Sequence, residues 1–209
     1  MTLRVTALVP DPRRPGTVRI EVDGARFGAV PAEFLAAERV AVGVAVSDEL
    51  AVRLGAAADL EAAYRTVLDA LQRRAQARGE LGRRLVRRGH RREAVEAALD
   101  RAESLGLLDD EAFAVHYVQT RGARGRGPAR LRRDLLARGV DRALVDRVLA
   151  AECPGGGDTA AVPLELATKR AEQLGGLSRT VKRRRILAYL ARRGFTGHEV
   201  TEVVAKAVP

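Results

Sequence analysis

Arginine is the side chain through which this sequence can act on another molecule. Twelve basic residues fall in three clusters: Arg83, Arg84 and Arg87; Arg121, Arg124, Arg126, Arg130 and Arg133; and Lys182, Arg183, Arg184 and Arg185. A guanidinium presents planar, two-pronged donors that fit a phosphate or a carboxylate. Glycines at 122, 125 and 127 would let a ligand backbone come close to the second cluster. For any one of these residues, an ordinary solvated helix face is the competing reading.

Groups suited to covalent, acid–base or metal chemistry are sparse. His90, His116 and His198 are scattered, and Cys153 is the single cysteine, so neither a zinc ligand spacing nor an internal disulfide is available. The adjacent carboxylates Asp109, Asp110 and Glu111 have a structural use. Asp109 or Asp110 caps a helix after Gly106 ends the previous one, Glu111 suits its first turn, and Leu107 and Leu108 anchor the turn in the core. Nucleotide-binding loops, nucleophile elbows and paired-histidine metal motifs do not occur. The expectation is a non-enzyme without cofactor or metal.

Charge locates the binding part. The chain of 209 residues carries a net +10, yet residues 1–58 hold seven arginines and seven acids, leaving 30 basic against 20 acidic residues beyond them. The excess points the later part towards an anionic partner and argues against phosphate binding by the first. Backbone contact with little sequence preference is the expected DNA mode, because Phe113 and Tyr117 fit a buried pair and Tyr64, Tyr189 and Phe195 fit helix stripes, leaving no stacking platform. A short apolar start and no run of eighteen apolar residues fit a soluble, cytoplasmic protein without membrane contact.

Two kinds of element must position these groups. Residues 1–58 read as a β-rich extension: Leu3–Leu8 and Val18–Val22 alternate, and Asp23-Gly24 turns into a third strand over Ala25–Val30. A short helix is expected from Pro31 to about Glu38, a further strand over Val40–Val46, and a helix from Ser47 ending at Gly55. With 46% apolar residues dominated by Ala, Leu and Val, the rest favours packed helices. The first should run over about Leu60–Ala75, capped by Asp59, with Tyr64, Val67, Leu68 and Leu71 on one face. Another should span about Asp110–Arg121, and a third about Ala160–Leu174 after Pro154–Gly157 and a cap at Asp158.

Aligning Gly89, Gly139 and Gly194 exposes an internal repeat of 50 to 55 residues. One residue earlier stand Arg88, Arg138 and Arg193; four earlier Leu85, Leu135 and Leu190; eight earlier Leu81, Leu131 and Ile186. Six later stand Val95, Val145 and Val200, and ten later Leu99, Leu149 and Val204. These offsets mark one helix face before a turn and one after it. Glycine is expected at the left-handed position, with the preceding arginine facing the negative helix end. The fold expected is mainly α: three tandem three-helix repeats, nine helices in an extended, modular arrangement, at 59–105, 106–152 and 158–209 behind the β-rich extension.

The segment Gly106-Leu107-Leu108-Asp109-Asp110 with Phe113-Ala114, then Tyr117-Val118, Arg121, Gly127, Leu131, Leu135, Gly139 and Val140, resembles the hallmark of the RecX family of recombination regulators. The likeness covers about Asp59 to Val204 and is weakest in the third repeat. It implies a largely monomeric cytoplasmic protein that lies along a RecA–DNA filament and inhibits its ATPase, strand-exchange and coprotease activities, with the basic clusters as RecA- or DNA-binding residues. A stand-alone nucleic-acid-binding helical module, or an adaptor for another acidic protein, is the alternative.

Overall fold

Apolar residues at helical spacing after Ser47, and at strand spacing before it, divide the chain into a small sheet followed by helices. The computed structural model describes residues 3–153 and 161–208. In order these form β1 (Val5–Pro10), β2 (Thr17–Val22), β3 (Ala25–Pro31), α1 (Ala32–Ala37), α2 (Asp48–Leu71), α3 (Arg78–Arg87), α4 (Arg92–Ser104), α5 (Asp110–Gly122), α6 (Pro128–Arg138), α7 (Arg142–Glu152), α8 (Ala161–Gln173), α9 (Arg179–Arg193) and α10 (His198–Ala207). The chain separates into two compact units, Met1–Leu108 and Asp109–Pro209.

In the first unit the strands form an antiparallel sheet in the order β1-β2-β3. Asp23 and Gly24, at φ 48° and 79°, supply the two left-handed positions that a two-residue hairpin needs. Val5, Ile20, Val22 and Val30 face a core completed by Leu35, Leu50 and Leu54. The β2–β3 ladder pairs Ile20 with Gly28 but Glu21 with Arg26, so Phe27 is an extra residue in β3.

Three local expectations give way here. Val40–Val46 is no regular strand: a turn places Val44 N–H on Ala41 C=O, Gly43 takes φ 90°, and a single bridge joins Ala45 to Arg4. The helix from Ser47 does not end at Gly55, and Asp59 does not cap a new one. One helix, α2, runs through both, because the alanines at 56–58 propagate it past the glycine. Asp59 is engaged elsewhere, accepting from Arg91 N–H at 2.9 Å and lying 2.6 Å from His90 Nδ1. Its early residues Leu50 and Leu54 pack under the sheet, while Ala63, Tyr64, Val67 and Ala70 complete the core of α3 and α4.

The end of α4 also differs. Leu108 is buried, but Leu107 stands 49% exposed. Gly106 at φ 67° reverses the chain so that the N–H groups of Leu107 and Leu108 share Ala102 C=O, and only the second of the two neighbours points inward.

The helical repeat is visible in the backbone itself. Gly89, Gly139 and Gly194 have φ 89°, 85° and 93°. After each, the next residue donates back to the leucine four before the glycine: His90 to Leu85 at 3.3 Å, Val140 to Leu135 at 3.2 Å, Phe195 to Leu190 at 3.0 Å. Each glycine N–H bonds three residues back, to Val86, Leu136 and Ala191. This double bond satisfies carbonyls that a helix end would otherwise leave open. Leu85, Leu135 and Leu190 are fully buried beneath these turns, with Leu81, Leu131 and Ile186 beside them. Ten helices result among the described residues, α1 and nine in the repeat region, while the expected cap at Asp158 lies outside those residues.

Among the described residues nothing stands within 4 Å of where a side chain would begin at Gly89, so a substitution there tests conformation alone. Gly89→Ala is expected to lower stability by about 1–2 kcal/mol, read as a shift in the urea unfolding midpoint with an unchanged slope.

Candidate functional site

The second basic cluster is organised around Tyr117. Asp109 starts α5 by accepting Ala112 N–H at 2.9 Å. Phe113 and Tyr117 then follow one turn apart, with ring centroids 6.0 Å apart. Tyr117 donates its hydroxyl to Asp134 Oδ2 at 3.2 Å. Arg126 donates to that same oxygen at 2.6 Å and to the hydroxyl at 3.0 Å, and Arg130 Nε lies 3.0 Å from Oδ1. Arg138 covers the ring at 4.8 Å from its centroid while donating to Asp134 C=O at 3.0 Å, and Arg121 lies at 5.7 Å.

Asp134, with only 12% of its side chain exposed, therefore holds two guanidiniums. A carboxylate so enclosed needs those donors, because an ion taken out of water is costly until it is hydrogen-bonded. Arg126 and Arg130 are consequently tied into the fold on one side, and each retains a partly exposed side chain.

The glycine-rich loop before α6 has a structural use as well. Gly127 N–H donates to Arg193 C=O at 2.8 Å and Ala129 N–H to Gly194 C=O at 3.2 Å. The amino end of α6 thus meets the carboxyl end of α9, and each supplies what the other lacks: open N–H groups against open carbonyls. A side chain at Gly127 would run into the Gly194 carbonyl, and one at Gly194 into the Arg130 backbone. Arg193 adds hydrogen bonds to Arg124 C=O at 3.4 Å and Gly125 C=O at 3.3 Å, and its guanidinium lies over the Tyr189 ring.

The other predicted residues lie on middle helices. Arg83 and Arg87 are exposed on α3, and Arg84 sits 4.0 Å from Glu80. Lys182 and Arg183 are half-buried, and Arg184 and Arg185 exposed, in the first half of α9. Among the described residues, Arg87, Arg121, Arg124, Arg133, Lys182, Arg183, Arg184 and Arg185 have no carboxylate partner. In α3 the bases crowd the last turns and in α9 the first, so the three helices share a basic residue only directly before the glycine.

Spacing alone does not show Arg78. At the start of α3 it reaches Glu96, Asp100 and Glu103 on α4, each at 2.7 Å. Burial works against its charge, but hydrogen bonds to Asp100 and Glu96 and the charge of Glu103 outweigh this and hold the guanidinium above its ordinary pKa. Burial, with Glu152 adjacent, pushes the Cys153 thiol up, away from nucleophilic use. No group of His, Cys, Asp and Glu among the described residues could hold a metal, and no helix there is long and apolar enough to cross a membrane.

Three-helix units that turn on a left-handed glycine and carry arginines on the middle helix define a tandem helical-repeat protein. Residues 109–149 match the family model described as RecX, second three-helix domain. The chain is 31% identical over 147 residues to the regulatory protein RecX of Chlorobium phaeobacteroides, covering 70% of this chain and 93% of that one. With the regulatory protein RecX of Halorhodospira halophila it shares 36% over 155 residues, covering 73% and 92%. A crystal structure of a regulatory protein RecX has the same fold, with a TM-score of 0.76 at 22% identity over 98% of this chain and 99% of that one. The chain belongs to the RecX family of regulatory proteins.

Two substitutions test the geometry. Asp134→Asn is expected to cost about 1–2 kcal/mol, since Arg126 and Arg130 lose their shared charge while water still reaches both. Gly194→Ala is expected to shift the urea midpoint further than Gly89→Ala, because it adds a collision with the α6 backbone to the same conformational cost.

Proposed function

We propose that this protein binds a RecA–DNA filament and inhibits its ATPase, strand-exchange and coprotease activities by occupying it, with no chemistry of its own. Membership of the RecX family carries the reading, through relatives named regulatory proteins that align over nearly their whole length. Arg87 on α3, Arg133 on α6 and Arg183, Arg184 and Arg185 on α9, which have no carboxylate partner among the described residues, supply a surface for phosphates or for acidic protein side chains. In this reading the repeats at 59–105, 106–152 and 158–209 each present a basic helix, residues 1–58 form an accessory module, and the protein acts as a cytoplasmic monomer.

Contacts to DNA are made to the backbone and carry no sequence preference. A saturating amount of the protein should suppress the DNA-dependent ATPase and strand exchange of RecA. Charge reversal at Arg87, Arg133, Arg184 and Arg185 together should relieve that inhibition and flatten its salt dependence. RecA activities left untouched at saturation, with DNA binding intact, would show a stand-alone nucleic-acid-binding module instead.

A further inference from the structure

We propose that a cleft between β3, the β1–β2 loop and α2 binds a nucleotide of single-stranded nucleic acid, its base stacked on Phe27 and its phosphates held by Arg14, Arg26 and Arg65. The cleft has a volume of about 340 Å³ and is lined by these four residues together with the α2 face at Gly55, Ala58 and Ala62. It lies outside the repeat helices on which the proposed filament contacts rest.

Four observations point to this ligand. Phe27, the largest apolar side chain of the sheet, is 37% exposed and lines the cleft. It is also the extra residue of the β3 bulge, and bulges re-aim side chains, so the strand delivers both Arg26 and Phe27 to one cleft where regular alternation would split them.

The charges in the cleft are unequally engaged. Asp59 is taken by His90 and the Arg91 N–H, and Glu61 by Thr17 and Arg101. Among the described residues, Arg14, Arg26 and Arg65 have no carboxylate partner. The zero net charge of residues 1–58 conceals this, because Asp11 and Asp23 accept backbone N–H groups, Glu38 pairs with Arg53, and Arg65 arrives from the next segment. An aromatic face beside free guanidiniums is the combination that binds single strands, through base stacking and charge-assisted bonds to phosphate.

Space completes the case. Gly55 lies in the interior of α2, where glycine is unfavourable, yet among the described residues nothing stands within 4 Å of where its side chain would be. Packing therefore does not explain it; the room it leaves is part of the cleft. At Gly28, by contrast, β3 presses directly on Ala58, which walls the cleft on that side.

The test uses the full chain and a fluorescent oligothymidylate carrying a single 5-iodouracil. Ultraviolet crosslinking followed by peptide mass spectrometry should place the adduct on Phe27. Phe27→Ala should weaken binding about tenfold by fluorescence anisotropy, and Arg14→Gln with Arg65→Gln should reduce its salt dependence. Gly55→Leu fills the cleft while favouring the helix, so a loss of binding at an unchanged or raised melting temperature reports blockage, not unfolding. Thymidine monophosphate should compete better than inorganic phosphate. Equal competition by phosphate, or adducts confined to residues beyond 108, or affinity unmoved by Phe27→Ala and Gly55→Leu, overturns the proposal. Reversal of Arg133 and Arg184 should leave the Phe27 adduct in place, which separates this site from the proposed filament contacts.

Discussion

At one equivalent position in each repeat the backbone must go where side chains are disfavoured, and the helical part of the molecule hangs on that constraint. At Gly89, Gly139 and Gly194 the left-handed turn closes a helix with two backbone hydrogen bonds and sends the chain back along it. Only this reversal lets the leucine before the turn and the valine after it share one buried face. The arginine before the glycine is placed by the same geometry. In two repeats it folds onto a tyrosine ring, Arg138 over Tyr117 and Arg193 over Tyr189.

What could be read in the sequence followed from this locality. A turn that requires glycine, and apolar residues one and two helical turns away, leave a pattern that repetition makes plain. The hairpin at Asp23-Gly24 and the cap at Asp109 were legible for the same reason, since each is a rule about adjacent residues. Long-range partners were not. Asp59 looks like a helix start until His90, 31 residues later, takes its carboxylate. Gly55 looks like a helix end, yet three alanines carry the helix past it.

The candidate site was legible as a distribution of charge but not as a set of available groups. Arg130 and Asp134 are one helical turn apart and their pairing could be anticipated. Arg126 reaches the same carboxylate from before the helix, which no periodicity announces. Composition counts every arginine equally, whereas the fold divides them into those that hold helices together, such as Arg78 and Arg126, and those left without a carboxylate among the described residues, such as Arg65, Arg87 and Arg133. The exposure of Phe27 is not legible in the sequence, because a bulge depends on the register of the partner strand, whereas a single strand read alone keeps strict alternation.

The meeting of α6 with α9 has a consequence for the order in which the chain is made. Gly127 leaves the ribosome 67 residues ahead of Gly194. At roughly 5–20 residues per second that is an interval of about 3–13 s. Until the interval ends, the first amides of α6 have only water to bond, so the second repeat completes its own hydrogen bonding only after the third has been synthesised.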